Sequence, residues 1–156
     1  MPRTYAVTSE EVAVSAAQDL VQINGAAGKM LRILSVAAAM TDTSPPTNQQ
    51  FGLRCRFLPA TVSNGSGGSS PTPQPYDPGD AAASFTAKAN STSKATTNGT
   101  ASTLLEDGAN SFAGYQYSFP RPPVVGPSEA FVFELLGAPN STVHISTTVI
   151  VEEMGG

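Results

Sequence analysis

Apolar residues in this chain recur at every second position, and that rhythm belongs to strands. Near the end, Val143, Ile145, Thr147, Val149 and Val151 fall on one face. His144, Ser146, Thr148, Ile150 and Glu152 fall on the other. The stretch "FGLRCRFL" repeats the pattern, with Phe51, Leu53, Cys55 and Phe57 pointing one way and Gly52, Arg54, Arg56 and Leu58 the other. Side chains alternate across a strand with period two, so each segment has one face to bury and one to leave outside.

The same reading runs along most of the chain. "YAVT", "EVAVS", "DLVQIN" and "MLRILSVAAAM" supply the first half, the last apolar enough to be buried on both faces. "ASFTAKAN", "SFAGYQYSF" and "AFVFELL" supply the second, with Phe131, Phe133 and Leu135 sharing a face. Between them stand the breakers "TDTSPPTNQQ" and "RPPVVGP". The Ser/Thr-rich "STSKATTNGTAST" reads as a surface loop or an edge hairpin turning at Asn98-Gly99. One segment stays open: residues 9–22 also suit a helix, with Ser9 as N-cap and alanines inside, although alternating β-branched residues favour strands. The expected fold is all-β, an antiparallel β-sandwich of jelly-roll type, with about eight strands and long Gly/Pro loops.

The longest loop covers residues 62–83, "VSNGSGGSSPTPQPYDPGDAAA". As a linker it would divide the chain into two units of about four strands, each marginal alone. It is therefore read as a loop inside a single domain of residues 1–156. Pro71, Pro73, Pro75 and Pro78 predict an extended, semi-rigid arm that lies across a neighbour. Residues 1–8 are expected to form a second, N-terminal arm.

Composition narrows the function classes. Only 13% of residues are charged, about half the usual share, and the formal net charge is −4. No basic cluster exceeds the Arg54/Arg56 pair, so nucleic acid is not an expected partner. The beginning "MPRTYAVTSEE" has no apolar run of a secretory signal, and no segment has the length of a membrane span. A soluble protein made in a reducing compartment is expected, with no membrane partner. The single cysteine, Cys55, is read as a core residue. The single histidine, His144, has no nucleophile motif beside it, so no catalytic residue is expected. Asp77, Asp80, Glu106 and Asp107 are the carboxylates that a hard cation could recruit, but they form no dense run, and neither metal nor cofactor is expected. Asn64, Asn90, Asn98 and Asn140 begin Asn-x-Ser/Thr triplets, read as chance in so Ser/Thr-rich a chain. Tyr115 and Tyr117 could form a sugar-stacking platform, but aromatics at this spacing are more often packed.

Three stretches carry a resemblance: "AVSAAQDLVQINGAAGKMLRILSV", "TPQPYDPGDAAASFTAKAN" and the closing "VIVEEMGG". With these the chain resembles small virion structural proteins of tailed bacteriophages, most of all capsid decoration (cement) proteins. The resemblance implies a homotrimer bound to the major capsid protein on the virion surface, made in the bacterial host cytoplasm. A phage tail or receptor-binding domain for cell-surface glycan is the alternative. The expected contact residues are Arg3, Tyr5, Pro71, Pro73, Pro75, Tyr76, Asp77, Tyr115 and Tyr117.

Overall fold

The computed structural model describes residues 1–42 and 47–155. Part of the first breaker segment, residues 43–46, lies outside the described residues. Among the described residues there are thirteen strands, and all of their pairings are antiparallel. They are β1 (Arg3–Val14), β2 (Gln18–Asn24), β3 (Met30–Met40), β4 (Gln50–Leu58), β5 (Val62–Ser63), β6 (Gln74–Pro75), β7 (Thr86–Ser91), β8 (Thr96–Thr97), β9 (Ser102–Asn110), β10 (Tyr115–Ser118), β11 (Val124–Val125), β12 (Ala130–Leu135) and β13 (Val143–Met154).

Four nested pairings organise the chain. β1 pairs with β13, β2 with β12, β3 with β10 and β11, and β4 with β9. The chain is thus one long antiparallel ribbon, doubled back between β4 and β9. Successive pairs of the ribbon go alternately to two sheets. The first sheet runs β10-β3-β13-β1-β6, with β11 also on β3; the second runs β7-β2-β12-β4-β9. A ribbon wrapped into two sheets in this way is the jelly roll. The alternating apolar faces meet between the sheets, where one cluster takes residues from Tyr5 through Val151.

The remaining strands come from the segment that joins β4 to β9. β6 extends the first sheet beside β1, and β7 extends the second beside β2, so this segment covers both edges on that side. β5 and β8 form a small third layer. Under it Leu58, Ala130 and Val132, from the outer face of the second sheet, meet Ala95 and Val62.

Several expectations are corrected here. Residues 1–8 are not a free arm: β1 begins at Arg3, and Tyr5 and Val7 are fully buried. Alternation drives them inward, and the Tyr5 hydroxyl donates to the Ala81 carbonyl at 2.9 Å while its ring meets Phe85 edge-on. "YAVT" and "EVAVS" are one strand, interrupted by a bulge between Ser9 and Val12. Residues 9–14 belong to β1 and 18–22 to β2, joined by a bend at 15–17, without a helix. The loop at 62–83 lies on its own sandwich. Ser66 bridges Ser93 and Ser69 bridges Ala89, and Gly68 packs directly against the Ala89 carbonyl. The Asn98-Gly99 turn makes no hairpin, because β8 and β9 pair with different strands. β9 itself, "STLLEDGAN", lacks alternation, since it is an edge with almost nothing to bury. The breaker "RPPVVGP" contributes β11.

Candidate functional site

At one end of the sandwich, the start of β1, the end of β13, the β2–β3 turn and the turn after β6 come together. Tyr76 follows β6, and its amide donates to the Thr4 carbonyl at 2.9 Å, which holds it beside β1. The next residues form a tight turn in which the Asp80 amide donates to the Asp77 carbonyl. The Gly79 amide donates to Asp77 Oδ1 at 2.9 Å. Arg3 Nε lies 3.5 Å from Asp80 Oδ1. These residues, with Met1, Pro2 and Thr4, line a groove of about 510 Å³. A second groove of about 300 Å³ adjoins it, lined by Met1, Pro2, Met154 and Gly155 with the Arg32–Glu152 ion pair. Glu153, on the inner face, is buried and accepts from the Ser84 amide and hydroxyl.

Large apolar side chains gather at this end. Six stand exposed among the described residues, and four of them, Met1, Met30, Tyr76 and Val124, border it. Tyr76 is 63% exposed. From there the outer face of the first sheet continues as a plain of mostly small and polar side chains. Thr8, Thr148, Ala37 and Gln116 form one row across it, and Ala6, Ile150, Ser35 and Ser118 the next. No strand or layer of the described chain covers this face, whereas β5 and β8 lie over the second sheet.

The structure brings together Arg3, Pro75, Tyr76 and Asp77 from the expected contact residues. Tyr5 lies directly beneath them with no surface to offer. Pro71 and Pro73 are half-buried along the same segment. Tyr115 and Tyr117 are elsewhere, on β10 at the opposite edge of the sheet, and both pack against the core. The Tyr115 ring stacks on Phe133 with centroids 6.2 Å apart, and Tyr117 meets Phe119 edge-on. Neither ring offers the open face that a sugar platform needs.

The other singled-out groups are also dispersed. Asp77 and Asp80 belong to the groove, whereas Glu106 and Asp107 lie on β9. Among the described residues no three His, Cys, Asp or Glu side chains converge on a metal site. Cys55 is buried, and desolvation pushes its thiol up to about 12. His144 Nδ1 lies 2.7 Å from Asp42 Oδ1, and the His144 amide donates to Asp42 Oδ2 at 3.1 Å. This contact raises the imidazole pKa and lowers that of the carboxyl. Among the described residues no helix is long and apolar enough to cross a membrane.

A buried charge cluster went unread in the sequence. Glu134 on β12 is fully buried on the outer face of the second sheet. Arg54 Nε contacts its Oε1 at 2.5 Å, Arg56 Nε approaches the same oxygen at 3.0 Å, and Lys94 Nζ reaches Oε2 at 2.9 Å. The Arg56 approach is an ion contact without hydrogen-bond alignment. Beside it Asp19 accepts from the Ala95 amide at 2.6 Å, and its Oδ1 lies 3.6 Å from Arg56 Nη2 without a hydrogen bond. Burial pushes the Asp19 carboxyl up to about 6, against the Ala95 amide and Arg56, which pull it down. Lys94 and Ala95 belong to the β4–β9 connection, so the cluster fastens that segment to the sheet. The available signal was an acid inside each of two apolar runs, "DLVQI" and "AFVFELL", together with arginines alternating on β4.

No protein-family model matches the chain, and no curated protein matches it. Among solved structures, a chain from "Structure of infectious bursal disease virus Gx strain" aligns with 99% of this chain at 14% identity and a TM-score of 0.23. This chain spans 42% of that one. A likeness of that size carries no argument for fold or function.

Proposed function

We propose that the chain is a non-enzymatic structural protein of a tailed-phage virion, which docks on the capsid as a homotrimer and stabilises the shell by bridging neighbouring major capsid proteins. The observation that carries this reading is the uncovered outer face of the first sheet, continuous with four exposed apolar side chains at its end. Contiguous exposed apolar surface marks sites of protein association. Jelly rolls serve in viral capsids and in lectins, which is an analogy of fold alone. Docking needs a rigid body, and the covered β1/β2 edges and the Glu134 cluster supply one.

The test is electron cryomicroscopy of gradient-purified particles that contain the chain, beside particles made with Tyr76→Asp and Met30→Asp together. Trimeric density at local three-fold positions, lost in the double variant while the free variant stays folded, supports capsid decoration. A wild-type chain left in the supernatant, or density confined to the tail, refutes it.

One observation favours the receptor-binding alternative. Tyr76 stands exposed over a groove that also holds Arg3, Asp77 and Asp80, the side-chain types that stack on and hydrogen-bond a sugar. Saccharide binding by the isolated chain, abolished by Tyr76→Ala, would select that reading.

A further inference from the structure

The two sides of the sandwich are finished differently. On one, β6 and β7 cover β1 and β2. On the other, the first sheet ends in short β10 and β11, separated by a stretch holding Pro120, Pro122 and Pro123. Short strands and prolines are common protections of an edge against further pairing. The second sheet ends in β9, which has neither. Its nine residues contain no proline, and among the described residues they pair on one side only, with β4. The free side offers backbone donors and acceptors that no strand of the described chain takes up, although the Gly108 amide donates to Asp107 Oδ1 at 2.8 Å.

Two further features single out this edge. Of the two exposed large apolar side chains that are not at the terminal end, Leu104 lies within it and Phe112 just beyond it, at 41% and 59% exposure. Leu104 is the extra residue of a bulge opposite Cys55 and Arg56, and a bulge re-aims a side chain that regular pairing would place otherwise. Between the two anchors stand Glu106 and Asp107, both exposed. Asp107 takes a hydrogen bond from the Tyr115 hydroxyl at 3.2 Å. Glu106 lies opposite Arg54, but Arg54 is committed to Glu134.

From these features we infer that the β9 edge binds an extended segment of another protein by strand addition, and that this segment carries a lysine or arginine between two apolar residues. Backbone pairing supplies the affinity in such complexes, and side-chain pockets supply the selection. Here Leu104 and Phe112 select apolar ends and Glu106 selects the cation. A second copy of this chain fits poorly, because an antiparallel copy centred on the strand would set Glu106 against Glu106, and like charges directly opposite are destabilising. This inference does not depend on the capsid reading, which uses the other sheet.

The probe is a synthetic ten-residue peptide of alternating Thr and Val, with Leu at both ends and one central Lys. Amide hydrogen exchange of the full chain reports its binding site. The Lys peptide is expected to slow exchange across Ser102–Asn110 at least tenfold. That protection is lost in Glu106→Lys and restored in the same variant by a peptide with Glu in place of Lys. Glu106 is exposed, and an unchanged circular dichroism spectrum confirms that the variant folds. Absence of protection by the Lys peptide overturns the inference. Equal protection by both peptides on the wild type overturns its charge selection. Protection that grows with protein concentration alone would assign the edge to a second copy and overturn it as well.

Discussion

Glu134→Ala tests whether the buried cluster holds the β4–β9 connection in place. The substitution removes the counter-charge from three cations at once. They are not left equally bare. Arg56 keeps Asp19 at 3.6 Å, and Lys94 keeps the Leu135 carbonyl at 3.2 Å. Arg54 is partly exposed and can turn toward water. Removing one partner of a buried ion pair costs about 3–5 kcal/mol, and these escapes place the expected loss near the lower end, about 3 kcal/mol. For a chain of this size that lowers Tm by roughly 6–12 °C. Lys94→Met, at a partly exposed position, leaves Glu134 its two arginines and is expected to cost about 1 kcal/mol. Urea unfolding at pH 7 gives both numbers, and the double variant gives their coupling. Hydrogen exchange adds a local readout, since the Ala95 amide loses protection before the core strands in both variants. A loss below about 1 kcal/mol for Glu134→Ala, or a larger loss for Lys94→Met, would refute the reasoning that a desolvated acid anchors this segment.

Three further outcomes follow from the same structure. Asp19 holds its proton more tightly folded (about 6) than unfolded, where an ordinary Asp titrates near 3.9, so its contribution falls as pH rises between those values. Relative to Asp19→Asn, the wild type should lose roughly 2 kcal/mol between pH 4 and pH 7 in urea unfolding, and parallel pH profiles would contradict this. The His144–Asp42 contact contributes stability that is lost as pH rises through the raised histidine pKa and as pH falls through the lowered aspartate pKa. Imidazole titration followed by NMR should therefore give a midpoint above the ordinary histidine value, returning toward it in Asp42→Asn. Gly68→Ala would place its Cβ on the Ala89 carbonyl and should cost about 3 kcal/mol in thermal unfolding, whereas Gly137→Ala, which meets nothing within 4 Å, should be nearly neutral.

The strand class was legible because side-chain alternation is local. Burial on β13 alternates through all twelve residues, as its apolar pattern requires, and Phe131, Phe133 and Leu135 face the core. The Pro-rich segment pointed to Tyr76 and Asp77 together, and the structure sets both on one groove. β9 was not, because an edge strand buries too little to be constrained by alternation. Tyr5 was misplaced for the opposite reason: position near a terminus suggested an arm, while pairing with β13 on one side and β6 on the other enclosed it.

Period two, then, told which face of each segment turns inward, and with it the sandwich and the burial of Cys55. It said nothing of which strand lies beside which. Every decisive partnership joins distant residues: Arg54 and Lys94 reach Glu134 across 80 and 40 positions, and β1 finds β13 from the other end of the chain. Such partnerships form only when the doubled ribbon wraps and stacks its two sheets. The open β9 edge, the covered β1/β2 edges and the apolar end around Tyr76 are therefore properties of the wrapped ribbon, since each depends on what the remaining chain leaves uncovered.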